Sequence, residues 1–156
     1  MGDGMRDAGR GRRDAGRGMR ILLLSTTTGY QLRSFTDSAE RLGIELVLGT
    51  DRCHHLDDPW RDGAIAVRFH DEDGSLAAIA AEAARRPIAG VIAVGDRPTV
   101  LAARVAGALG LPGNPVTAAA ASRSKKRMRE RFAAAGMPTP WFRELPRGAD
   151  SPTLAR

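Results

Sequence analysis

Apolar residues along the chain follow two alternating rhythms. Short, nearly continuous runs at Arg20 to Ser25, Ile44 to Leu48, Ala64 to Phe69 and Ile88 to Val94 read as strands, the last apolar enough to predict cover on both faces. Between them apolar positions recur three and four residues apart. Leu32, Phe35, Ala39 and Leu42 mark a helix over Gln31 to Leu42 that stops at Gly43. Leu76, Ile79, Ala80 and Ala83 mark a second over Ser75 to Arg86, with Ser75 as its cap and Pro87 as its stop. Val100, Leu101, Arg104, Val105 and Ala108 mark a third over Arg97 to Leu109. Strands alternating with helices imply parallel pairing through right-handed crossovers. The fold class predicted is α/β, a doubly wound, mainly parallel and Rossmann-like sheet of about four or five strands.

Beyond the third helix, Gly110-Leu111-Pro112-Gly113-Asn114-Pro115 breaks the chain. Asn114 followed by Pro115 predicts a cap with proline at the first helical position, opening a short helix through Ala121. Ser122 then caps a basic helix over 122–135, ended by Gly136 and Pro138. At 100° per residue with Phe132 at zero, Ala121, Met128 and Ala135 lie at about −20°, −40° and −60°, which defines an apolar face. Lys125, at about +20°, points along that face, where an ammonium needs an anion or must reach past the core to water. Arg129 flanks it at about 60°, whereas Lys126, Arg127 and Arg131 fall at about 120°, −140° and −100° and face solvent.

The chain has 156 residues, 42% hydrophobic and 27% charged, the size and balance of one soluble domain. No run approaches the roughly 18 consecutive apolar residues of a membrane span, and no secretory leader is visible, so a cytoplasmic setting is expected. The single cysteine, Cys53, excludes an internal disulfide and any multi-cysteine metal cluster. The net charge of +6 is localised. Residues 1–18 carry five Arg and three Asp, residues 122–131 carry six basic residues and one acid, and the rest sums to −1. The first segment nearly duplicates Arg6-Asp7-Ala8-Gly9-Arg10-Gly11 as Arg13-Asp14-Ala15-Gly16-Arg17-Gly18. It has no apolar period to offset chain entropy and reads as a disordered Arg/Gly-rich tail, with Met19 as the structural start.

Ligands of doubly wound sheets bind beyond the carboxyl ends of the strands. At the end of the first strand, Thr26-Thr27-Thr28-Gly29 offers hydroxyls and backbone amides ahead of a helix, an anion cradle. Asp51 ends the second strand, where it serves either as a ribose-binding acid or as a turn and capping residue. No G-x-G-x-x-G or G-x-x-x-x-G-K-[ST] follows any strand, and no G-x-S-x-G elbow occurs, so dinucleotide, P-loop and serine-hydrolase chemistry lack their motifs. Cys53, His54, His55, Asp57 and Asp58 lack the spacing of a metal site and read as a solvated loop.

Gly95-Asp96, Ala102-Ala103 and Leu109-Gly110-Leu111-Pro112-Gly113-Asn114, with Lys125 followed eleven positions later by Gly136-Met137-Pro138-Thr139-Pro140, resemble the N-terminal (pre-ATP-grasp) domain of ATP-grasp ligases, the superfamily that includes biotin carboxylase. The resemblance spans about residues 19–145. It departs from the D-K-…-A-G-[VI]-P-x-P signature at Ser124, where the family has Asp. It implies a carboxylate ligase that uses ATP and Mg2+ and passes through an acyl phosphate. Lys125 and Arg129 would then contact ATP, while Thr26, Thr27, Thr28, Gly29 and Asp51 would lie near a small carboxylate substrate. No catalytic residue or metal ligand is expected within the chain, because the family's phosphate loop and magnesium ligands lie in the later ATP-grasp domain.

The organisation expected is a tail over 1–18, a pre-ATP-grasp domain over 19–121, and a linker helix with the start of an ATP-grasp domain over 122–156. A chain ending there is expected to be a fragment or one piece of a split enzyme, inactive alone and partnered by the missing domain. Trp141 and Phe142 suit cover by that chain, by a core, or by a second copy in a homodimer. The alternative function is a free-standing flavodoxin-like module binding nucleotide or nucleic acid through the basic helix, with nucleic acid the less favoured partner. No membrane partner is expected.

Overall fold

A computed structural model describes residues 18–26, 30–51, 64–145 and 148. The Thr27-Thr28-Gly29 turn, the Cys53 to Asp58 cluster and the duplicated segment before Gly18 lie outside the described residues. The chain divides into two compact units, Met1–Ala119 and Ala120–Arg156.

In the first unit β1 (Arg20–Ser25), β2 (Glu45–Thr50), β3 (Ile65–Ala66) and β4 (Gly90–Val94) form one sheet in the order β3-β2-β1-β4, every pair parallel. The helices are α1 (Tyr30–Leu42), α2 (Glu72–Arg85), α3 (Thr99–Ala108), α4 (Val116–Ser122) and α5 (Lys125–Ala134). The order of elements and the parallel α/β sheet agree with the sequence pattern. β1 is the central strand because it is the most apolar: Leu22, Leu23 and Leu24 are wholly buried. Leu22 and Leu24 share one face with Val47 and Ile65, and α2 and α3 cover it with Ile79, Leu101 and Val105. The crossovers β1 to β2 and β3 to β4 run in opposite directions across the sheet, which puts α1 on the other face, against β2. Burying ten such side chains supplies the largest stabilising term, about 25 cal/mol for each Å² of apolar surface removed from water.

Several boundaries differ from the pattern for local reasons. Strand β3 closes after two residues, although Val67 and Phe69 remain buried. Asp71 captures the turn that follows: its carboxylate accepts the Gly74 amide at 3.0 Å and starts α2 three residues ahead of Ser75. Ser75 is a buried clip instead, its Oγ accepting from the Arg68 amide at 2.7 Å and donating to the Arg68 carbonyl at 2.9 Å. Arg86 is extended (φ −139°, ψ 108°), as a residue before proline must be, so Pro87 ends the helix as predicted. β4 is an edge strand rather than a doubly covered one, and Ile92 is 39% exposed. α4 begins after Pro115, whose carbonyl accepts from the amides of Ala118 and Ala119, so proline occupies the cap itself.

Helices α1, α3 and α5 stop in the same way. The glycine just past each end (Gly43, Gly110, Gly136) adopts φ near +66° to +68° and donates to a carbonyl three residues back, while the next residue donates five residues back. Gly113, in the loop leaving α3, is small for a different reason. A Cβ there would lie 2.7 Å from the Cβ of buried Ala106. Ala at position 113 is expected to lift the loop from α3 and cost about 1–3 kcal/mol in urea unfolding, and an unchanged midpoint would refute this close approach.

Arg20 is 6% exposed at the start of β1. Its Nε donates to Glu45 Oε1 at 3.1 Å, one terminal nitrogen to the Arg86 carbonyl at 2.9 Å, and the other to Glu82 Oε1 at 2.7 Å. Arg85 and Arg86 extend the network to the second oxygens of Glu82 and Glu45, each at 2.6 Å. The Arg20 hydrogen bond, then that of Arg85, holds the Glu82 carboxyl below its ordinary 4.5. A folded-state value lowered in this way gives stability that is present above pH 4.5 and lost as pH falls through the lowered value. Glu82→Gln should therefore lose less stability than the parent chain on acidification below that pH; parallel acid slopes in urea titrations would contradict the assignment.

Candidate functional site

The β1 to β4 pairing is the point where the sheet reverses its winding. From β1 the chain turns to α1 on one face, and from β4 it turns to α3 on the other. Open α/β sheets bind ligands in the crevice outside such a reversal. Ser25 pairs with Thr50 on one side and Val94 on the other, so Thr26, Asp51 and Gly95 leave the sheet along one edge. Thr26 is partly exposed, and Asp51 and Asp96 are exposed. Gly95 has φ +89°, and its carbonyl accepts the Thr99 hydroxyl at 3.1 Å, which fixes the entry to α3. The fold thus groups Thr26 and Asp51, both read from the sequence, with Gly95-Asp96. The contribution of Gly95-Asp96 to this edge was missed, because strand order decides it and no local pattern encodes strand order.

Beside this edge, Val91 and Ala93 of β4, Ala102 and Ala106 of α3, and Gly113 and Asn114 of the exit loop line a cavity of about 260 Å³. Among the described residues its walls hold no charged side chain. The glycines of the Leu109 to Asn114 motif shape it, Gly110 by reversing the chain and Gly113 by close approach to α3.

The second unit holds the other sequence candidates, Lys125 and Arg129, both on α5. Ser124, not Ser122, is the cap: its Oγ accepts the Arg127 amide at 3.3 Å and its carbonyl accepts the Met128 amide at 2.8 Å. Lys125 is consequently the first helical residue, at the positive end of the helix dipole. The apolar-face reading of α5 is corrected: none of its residues is buried, Phe132 is 37% exposed, and Lys125 is exposed with no acidic partner among the described residues. A ten-residue helix whose faces are mostly Lys, Arg and Ala has too little apolar surface to order itself around a core.

The remaining cations of α5 differ in how they are held. The Arg129 guanidinium lies 5.5 Å over the Phe142 ring, an arrangement that occupies its flat face and leaves its N–H edge able to donate. Lys126 pairs with Glu144, which raises the pKa of its ammonium. Among the described residues no group of three His, Cys, Asp or Glu could hold a metal ion. Lys125, with no acidic partner among the described residues, and the N–H edge of Arg129 carry donors of the kind that phosphate oxygens accept.

A family model of the ATP-grasp N-terminal domain matches residues 36–113, half of the chain. Among solved structures, the crystal structure of L-amino acid ligase from Bacillus licheniformis matches with a TM-score of 0.68 at 24% identity, over 83% of this chain and 33% of that one. The likeness is one of fold, and the chain spans about a third of that ligase's length. No curated protein matches.

The cap geometry yields a direct expectation. Ser124→Ala should destabilise the first turn of α5 by about 1 kcal/mol, whereas Ser124→Asp should restore it, since both Ser and Asp cap helices well. Amide exchange at Arg127 and Met128 measures this, and equal protection in the two variants would count against the cap.

Proposed function

The chain belongs to the ATP-grasp N-terminal domain family, and from that premise we propose that it supplies the N-terminal part of an ATP-dependent carboxylate ligase working in the cytoplasm. In the complete enzyme the γ-phosphoryl group of ATP passes to a carboxylate oxygen, giving ADP and an acyl phosphate. An amine or thiol then attacks the acyl carbon, the bond to the phosphate oxygen breaks, and inorganic phosphate leaves. Magnesium, when bound, would neutralise phosphate charge in the ATP-grasp domain of the complete enzyme. Positioning and charge neutralisation dominate phosphoryl transfer, and they are what this chain would contribute.

The observation that carries this reading is the start of α5. By the resemblance Ser124 stands where the family has Asp, and it does a job that Asp also does, capping the helix so that Lys125 stands at its first position without a carboxylate partner among the described residues. Lys125 is assigned to ATP phosphate and Arg129 to a flanking contact. Thr26 and Asp51, at the reversal edge of the sheet, are assigned to the carboxylate substrate, together with Thr27, Thr28 and Gly29 of the same sequence run. The partner is an ATP-grasp domain carried on further sequence or on a separate chain.

The test combines the chain with a separately expressed ATP-grasp polypeptide encoded downstream and follows carboxylate-dependent phosphate release. Release should require both components. Lys125→Ala should lower kcat/KM by roughly 10–100-fold, the worth of one hydrogen bond to a charged group, and Lys126→Ala should leave it nearly unchanged. Turnover by the chain alone, or indifference to Lys125→Ala, would reject the assignment.

A further inference from the structure

Charge divides unevenly between the two compact units. Ala120–Arg156 holds nine basic and three acidic residues, which accounts for the entire +6 of the chain, while Met1–Ala119 is neutral. Within the basic unit the cations of α5 fall into two sets. Lys126 and Arg129 are engaged by the segment that follows the helix, Lys126 by Glu144 and Arg129 by the Phe142 ring. Arg127 and Arg131, four residues apart, lie on the opposite side of the helix, and Arg123 precedes them in the turn before the cap. All three are exposed and have no acidic partner among the described residues.

Single ATP phosphates do not require such a row. Arg127 and Arg131 are one helical turn apart, about 6 Å between side chains, with Arg123 just ahead of the helix, so the cations follow one another along the chain as phosphates do along a nucleic-acid strand. Guanidinium groups also suit phosphate oxygens better than ammonium groups do. A lipid surface fits less well, because α5 has no broad apolar face opposite the arginines to enter a bilayer interface. We propose that Arg123, Arg127 and Arg131 form a docking surface for the phosphate backbone of nucleic acid, separate from Lys125. This goes beyond the ligase assignment and reverses the sequence-based preference against a nucleic-acid partner, because only the structure separates the engaged cations from the free ones.

The test uses the full chain and a fluorescein-labelled DNA duplex of about 20 base pairs, long enough to cover the row of phosphates. Anisotropy is followed as salt is raised. Three phosphate contacts contribute about −2.7 to the slope of log affinity against log salt. The Arg123→Ala/Arg127→Ala/Arg131→Ala variant should lose that much slope, so that raising salt from about 50 to about 200 mM weakens the parent roughly forty-fold more than the variant. The corresponding triple Lys variant should keep the slope. Comparing variants cancels any contribution from the Arg-rich residues 1–18. Lys125→Ala should alter the slope by less than one unit, which keeps failure here distinct from failure of the ATP assignment. An unchanged slope in the triple Ala variant would overturn the proposal, as would tighter binding to phosphatidylserine vesicles than to the duplex.

Discussion

The Arg20 guanidinium is the constraint on which the sheet depends. It is buried at the start of the central strand and is satisfied by three elements at once: Glu45 of β2, Glu82 of α2 and the Arg86 carbonyl just before β4. Taking a charge out of water costs several kcal/mol unless its donors are met, so the arrangement is tolerable only with all three partners in place. That requirement couples the positions of β2, α2 and the entry to β4. It complements the leucines that follow, which reward burial without specifying neighbours. The Ala89 amide donating to the Arg20 carbonyl at 2.8 Å ties the same residue to the β1 and β4 pairing through the backbone.

The two ends of the sheet consequently have different characters. The amino ends are locked by a charge network of Arg20, Glu45, Glu82, Arg85 and Arg86, whereas the carboxyl ends carry partly exposed Thr26 and exposed Asp51 and Asp96. A rigid end opposite an open one is what a ligand-binding sheet needs, since groups are positioned best by strands that cannot slide. Arg104 of α3, paired with Glu72 and Asp73 at the start of α2, fixes the two covering helices to each other. Those acids also sit where the dipole of α2 favours negative charge.

In the second unit the same economy operates on a single helix. Ser124 sets its start and Gly136 its stop, and Lys126 and Arg129 bind the returning chain. Trp141 remains 81% exposed and Met137 51%, an apolar surface suited to cover by further protein. The Thr139 hydroxyl, inside the Gly-Met-Pro-Thr-Pro run, is buried without a hydrogen-bond partner among the described residues.

Local chemistry was legible in the sequence wherever one residue or one period suffices. The alternation of strand and helix, the glycine stops at 43, 110 and 136 and the proline stop at 87 all follow from backbone conformations that few residues can adopt. The family was legible for the same reason, because the Gly95-Asp96 and Leu109 to Gly113 runs are local and lie within the residues matched by the family model. The choice between competing caps was not, since Asp71 and Ser124 prevail over Ser75 and Ser122 through particular amides that become available only once the neighbouring turns have formed. Nor was the exposure of Lys125, since a helical wheel gives a direction but not whether anything lies there. Strand order, the reversal edge that joins Thr26 and Asp51 to Gly95, and the separation of engaged from free arginines belong to the tertiary structure alone. They depend on contacts between residues far apart in the chain, and such contacts leave no period for a sequence to display.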